Sequence, residues 1–110
     1  MGKKEAKVED YLVAGVAELG GVAEKFTVPG RKGPPDRLVQ WPEGLLSMMP
    51  EIDFVECKSP DANENTPHFR RQQRDHAKRR AMGFRVYVLD STQKVDIYLD
   101  KRRRMIMANA

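Results

Sequence analysis

The stretch IDFVECK, Ile52 to Lys58, is apolar almost throughout apart from its charged residues. That composition suits a central strand covered on both faces, where a charged group is costly unless it pairs or binds metal. Glu56 and Lys58 stand two residues apart, so on a strand both side chains project from one face while Cys57 points to the other.

Working outward, Asp36 to Trp41 (DRLVQW) reads as the neighbouring strand, closed by Pro42, and residues 43–51 read as a long hairpin connection. Val22 to Val28, with β-branched and aromatic content and an end at Pro29-Gly30, predicts a short strand before it. Val8, Leu12, Val16 and Leu19 recur at helical spacing and stop at Gly20-Gly21, which predicts a first helix over 4–19. Downstream, Thr66-Pro67 joins an N-cap residue to proline at the first helical position, and the second helix is expected to run to Met82 and end at Gly83. Phe84 to Leu89 alternates as a fourth strand. Asp90-Ser91-Thr92 can cap a last helix beginning at Val95 to Leu99; the basic run Lys101 to Arg104 and Met105 to Met107 either continue it or form a flexible tail. Because the strand–helix–strand step from 52 to 89 requires a crossover, this order implies an α/β domain with a mixed sheet flanked by helices.

Phosphodiester hydrolysis needs a hard cation to neutralise developing charge and lower the pKa of an attacking water, and Mg²⁺ prefers oxygen ligands. On the predicted strand Glu56 can hold such an ion, while Lys58 orients water or stabilises the transition state. Asp36, at the start of the neighbouring strand, is close enough across the hairpin for its carboxylate to meet that of Glu56. The backbone carbonyl of Cys57 is a further candidate ligand, with the thiol packed as a small hydrophobe. Taken alone, Glu-x-Lys is a weak pattern, since an ion pair on a strand face reads the same.

Four segments in order, KVEDYLV, KFTVPGRKGPPDRLV, IDFVECKSP and QQRDHAKRRAMGFRVYVLDS, together cover nearly the whole chain. They resemble the virus-type replication-repair nuclease (VRR-NUC) domain, a branch of the restriction-endonuclease-like superfamily. The resemblance implies a restriction-endonuclease-like fold over a single domain, 1–110, and a catalytic set of Asp36, Glu56 and Lys58. It implies Glu9 in helix one as a further metal ligand, with Glu5 and Asp10 as nearby competitors, and it points to Gln72 as a contact to the active site or scissile phosphate. His76 lies one turn beyond Gln72 on the same face; it suits a general acid, a phosphate contact or an ordinary surface or capping role. His68 has no assigned role.

Net charge is only +4, yet residues 1–60 carry 8 Lys/Arg against 10 Asp/Glu while residues 61–110 carry 12 against 6. This asymmetry points to a polyanion met mainly by the second half. Arg70, Arg71, Arg74, Lys78, Arg79 and Arg80 supply a candidate phosphate rail on helix two, and Arg31 and Lys32 in the PGRK loop would meet DNA beside Asp36. The single cysteine excludes an internal disulfide, and no zinc-ligand spacing is present. With no apolar run of about 18 residues and no secretory signal pattern, the expected location is the cytosol, in a bacterial or phage context.

The combined expectation is a DNA endonuclease using Mg²⁺, with Mn²⁺ able to substitute. Stand-alone members of the family are expected to pair as homodimers on four-way junctions, with Leu45, Leu46, Met48, Met49, Met105, Ile106 and Met107 as candidate dimer surface. Rivals are a flap or single-strand-specific nuclease, a non-catalytic DNA-binding module, and a small interaction protein with a basic surface.

Overall fold

The computed structural model describes residues 2–110. Seven elements follow one another: α1 (Lys3–Glu18), β1 (Val22–Lys25), β2 (Arg37–Trp41), β3 (Glu51–Cys57), α2 (Pro67–Ala81), β4 (Arg85–Leu89) and α3 (Thr92–Asn109). The strands form one sheet in the order β1-β2-β3-β4. The first two junctions are antiparallel and the last is parallel, with α2 making the crossover. This mixed sheet and its element order match the restriction-endonuclease-like expectation.

Parity along β3 assigns the two faces of the sheet. Val55 and Cys57 point into the main core with Val8, Leu12 and Val16 of α1 and Val95, Tyr98 and Leu99 of α3. Phe54 and Glu56 point the other way, where Phe54 meets Phe26 and Phe84 edge-on and the Arg79 guanidinium of α2 lies over its ring. Burial of β3 on both faces is why the sequence reads as a continuous apolar run. Only its first two residues break the pattern, Glu51 being half-buried and Ile52 exposed.

Local chemistry sets the ends of the helices. The Thr66 hydroxyl accepts a hydrogen bond from the Phe69 amide, and the Ser91 hydroxyl accepts one from Lys94, satisfying otherwise orphaned first-turn N–H groups. After α2, Gly83 takes a positive φ of 96°, a conformation that a side chain would disfavour.

Two expectations need adjustment. The strand predicted over Val22–Val28 stops at Lys25, although the Phe26 amide still donates to the Asp36 carbonyl. The last helix does not fray at its basic run but continues to Asn109, because Arg102 faces inward and ion-pairs with Asp53. Of the suggested dimer-surface residues, Leu46 is buried, and Leu45, Met105 and Ile106 pack against the core. Met48, Met49 and Met107 are exposed.

Candidate active site

The site forms where β2 begins and β3 ends. The antiparallel register pairs Arg37 with Val55, so Asp36, one residue before β2, arrives beside Glu56. The Cys57 amide donates to Asp36 Oδ2 at 3.0 Å and fixes that carboxylate at the end of the sheet. The first turns of α1 cross this end, and Glu5 completes the group: carboxylate oxygens of Glu5, Asp36 and Glu56 all lie within 4.8 Å of one another.

Helix one therefore supplies a carboxylate, but from a different residue than the resemblance implied. Glu9, the position that the resemblance implied, lies outside this group. Its side chain is buried and receives Arg37 Nε at 2.7 Å, and Arg37 also donates to the Ala23 carbonyl. Glu5 and Glu9 are one turn apart on the same face, and the Arg37 guanidinium takes the second of them.

Helix α2 walls the other side. Lys58 follows β3 and donates through Nζ to Gln72 Oε1, with Phe69 beneath the ammonium, 5.5 Å from it to the ring centroid. One turn on, His76 Nε2 stands 3.6 Å from Glu56 Oε1. His68 lines the same cleft of about 450 Å³, together with Glu5, Asp36, Glu56, Lys58 and Gln72. Asp36, Glu56, Lys58 and Gln72 are thus brought together.

The electrostatics of this group are those of like charges crowded away from water. Burial, reinforced by Asp36, pushes the Glu56 carboxyl up to about 10, and the same two causes raise Glu5. Burial, with the positive charges of Arg80 and Lys58, lowers His76 and so favours its neutral form. The Cys57 thiol is raised by burial and sits in the core, which leaves its backbone as the only part available to the site. Carboxylates that repel one another in a cleft with an ammonium at its rim fit a hard divalent cation, which takes oxygen ligands and removes the repulsion.

The expected nucleic-acid residues separate into two kinds. Arg70, Arg71, Arg74, Lys78 and Lys32 are exposed and make no ion pair among the described residues; Arg70, Arg74 and Lys78 follow at one-turn spacing on the outer face of α2. Arg31 is instead engaged with Asp75 at 3.2 Å, and the buried Asp75 also holds Arg79. The PGRK loop is tied to α2 as well by Gly33, whose φ is +116° and whose position a Cβ would bring to 3.3 Å from the Arg71 carbonyl. The loop is thus docked against α2.

The sequence reading missed the Asp53 cluster on the opposite face of β3. Asp53 accepts from Trp41 Nε1, Arg85 Nε, Tyr98 Oη and Arg102 Nε. Val95, Tyr98, Leu99 and Arg102 fall at helical spacing, which was the available signal that one arginine of the basic run turns inward.

No family model matches the chain. The chain is 47 % identical over 88 residues to a protein named "Putative nuclease p44" of Acyrthosiphon pisum secondary endosymbiont phage 1, covering 80 % of this chain and 84 % of that one. A solved structure described as a VRR_NUC domain superposes with a TM-score of 0.74 at 34 % sequence identity, over 90 % of this chain and 97 % of that one. With the fold in agreement and similarity over 84 % and 97 % of the two relatives, the chain belongs to the VRR-NUC family.

Proposed function

We propose that this protein is a divalent-metal-dependent endonuclease that hydrolyses phosphodiester bonds in branched DNA, acting as a homodimer on four-way junctions. The observation that carries the reading is the convergence of Glu5, Asp36 and Glu56 beside Lys58. Membership of the VRR-NUC family and the name of the phage relative support it.

Glu5, Asp36 and Glu56, with the Cys57 carbonyl, would hold Mg²⁺, which when bound neutralises charge on the phosphate and acidifies a water. Asp36 is oriented for that task by the Cys57 amide. Lys58, placed by Gln72, carries its ammonium to the rim of the carboxylate group, where it orients the attacking water and stabilises negative charge on the phosphoryl oxygens. Lys32, Arg70, Arg71, Arg74 and Lys78 supply contacts to the DNA backbone, which position the strand without reading bases. Arg31 neutralises Asp75 and so keeps negative charge away from that track. A two-fold pairing through exposed apolar surface such as Met48 and Met49 would set two such sites for symmetric cuts.

The test is cleavage of a four-way junction beside flap, duplex and single-stranded DNA with Mg²⁺ or Mn²⁺, repeated with Asp36→Ala and Lys58→Ala. Paired symmetric nicks lost in both variants are expected. Cleavage of flaps or single strands alone would retain the site and sink the junction assignment, and metal-dependent cleavage of no substrate would sink the nuclease reading.

A further inference from the structure

Among the described residues, three buried side-chain polar atoms have no hydrogen-bond partner: Glu56 Oε1, His76 Nε2 and Arg85 Nη2. Two of these face each other at 3.6 Å, on side chains only 1 % and 4 % exposed. Native interiors rarely leave a polar atom unmatched, and two unmatched atoms pointing at one another mark an interaction made in another state of the site.

We infer that His76 is a positioning residue for the metal site: its Nε2–H holds Glu56 Oε1 whenever that carboxylate is charged and ligating. This rests on the metal-centre reading above. An ionised carboxylate has about four acceptor positions and no donors. Glu56 has neutral or negative oxygens of Glu5 and Asp36 on one side and His76 on the other, so at 1 % exposure the imidazole is the donor within reach.

The gap is too short for an intervening water, since two hydrogen bonds in series span roughly 4.5 Å or more. It exceeds a charge-assisted N–H···O contact by only about 0.8 Å, a displacement that rotation of either side chain supplies. Nε2 can carry a proton in the imidazolium and in one neutral tautomer, so the contact does not depend on the charge of the ring.

The helix explains why the arrangement works as a unit. Glu56 and Lys58 project from one face of the β3 end, and Gln72 and His76, one turn apart on α2, address them in the same order reversed: Gln72 takes Lys58 and His76 takes Glu56. One helix face thereby orients both the ligand and the ammonium, which is the role that outer groups around a metal ligand serve.

The experiment is Mn²⁺ binding to the metal-free full-length protein, followed by calorimetry and by the electron paramagnetic resonance of the free ion, for wild type, His76→Leu and His76→Gln. Circular dichroism checks each fold, and His76→Met takes the place of the leucine variant if that one does not fold. Loss of the donor is expected to weaken Mn²⁺ binding about 10- to 100-fold, and glutamine, whose amide N–H reaches a similar position, to recover most of it. Fluorescence anisotropy of labelled DNA without metal should not change in any variant. Wild-type affinity in His76→Leu, or equal loss in the leucine and glutamine variants, overturns the inference while leaving the metal centre standing. Absence of Mn²⁺ binding in wild type overturns both.

Discussion

Asp53 meets four donors, from Trp41, Arg85, Tyr98 and Arg102, whereas Glu56, three residues along the same strand and almost as fully buried, meets two more carboxylates and an imidazole that does not reach it. Burial acts on both in the same direction, raising the carboxyl. For Asp53 the hydrogen bonds of Tyr98, Arg102 and Arg85 outweigh it and the group ends below its ordinary value; for Glu56 the neighbouring Asp36 adds to it. A buried carboxylate surrounded by donors is part of the scaffold. One surrounded by other carboxylates is stable in its charged form only when a cation is supplied, so the two faces of β3 divide structure from chemistry.

The sharpest way to break this comparison is to neutralise Glu56. Glu56→Gln is expected to lower the cleavage rate on the order of 10⁴-fold, as for loss of a central catalytic group. In the same variant the melting temperature of the metal-free protein should stay level or rise, because the substitution removes a carboxyl that must take up a proton to be buried there. Single-turnover cleavage and thermal denaturation measure the two halves; a fall in melting temperature of several degrees would place Glu56 among the scaffold residues.

Asp53→Asn should do the reverse. It leaves Arg102 buried with a weakened partner and is expected to cost about 3–5 kcal/mol, seen as a melting temperature lower by more than about 10 °C in a domain of this size. At a temperature where the variant is still folded, Mn²⁺ affinity should match wild type. A changed affinity would show that the two faces of the strand are not independent.

The third contrast lies in α1. Glu5→Gln should weaken Mn²⁺ binding by at least the roughly 10- to 100-fold that loss of an outer partner of a ligand costs, with little change in melting. Glu9→Gln should leave Mn²⁺ binding in place and destabilise the fold by about 2 kcal/mol, because the largely buried Arg37 loses its charged partner. Titrations and melts of the two variants side by side decide between them, and an exchange of phenotypes would restore Glu9 as the ligand.

That contrast also marks the limit of what the sequence reveals. The sheet was legible because β3 is buried on both faces and carries a continuous apolar run, and the helix starts were legible because Thr66-Pro67 and Ser91 cap by local chemistry. Asp36, Glu56 and Lys58 followed from strand parity, hairpin adjacency and the family resemblance. That Glu5 rather than Glu9 sits with Asp36 and Glu56 was beyond periodicity, because both lie on one helix face and their placement depends on where Arg37 of another strand sits. Arg102 was hidden among four consecutive basic residues that cover every side of a helix turn, and only its spacing from Tyr98 and Val95 sets it apart. The docking of the PGRK loop was hidden for a similar reason, since the Arg31 to Asp75 contact joins distant segments.

The smallest effect is the most direct measure of the comparison: the pH dependence of stability in the absence of metal. One titrating group limits the slope to about 1.4 kcal/mol per pH unit. Asp53 has a lowered folded-state pKa, so its contribution is present above the unfolded value of 3.8 and is lost as pH falls through the folded one. Glu56 has a raised one, so its contribution is present below the unfolded value of 4.5 and is lost as pH rises toward about 10. Denaturant melts from pH 3 to 9 should therefore show metal-free stability declining on the alkaline side in wild type but less so in Glu56→Gln, and an acid-side loss that Asp53→Asn reduces. Saturating Mn²⁺ should flatten the alkaline decline, because the ion holds Glu56 in its charged form and takes the place of the proton. A decline of equal slope in wild type and Glu56→Gln would mean that Glu56 is ionised in the metal-free fold, and the division between the two faces of β3 would then need a donor at Glu56 that is already in place.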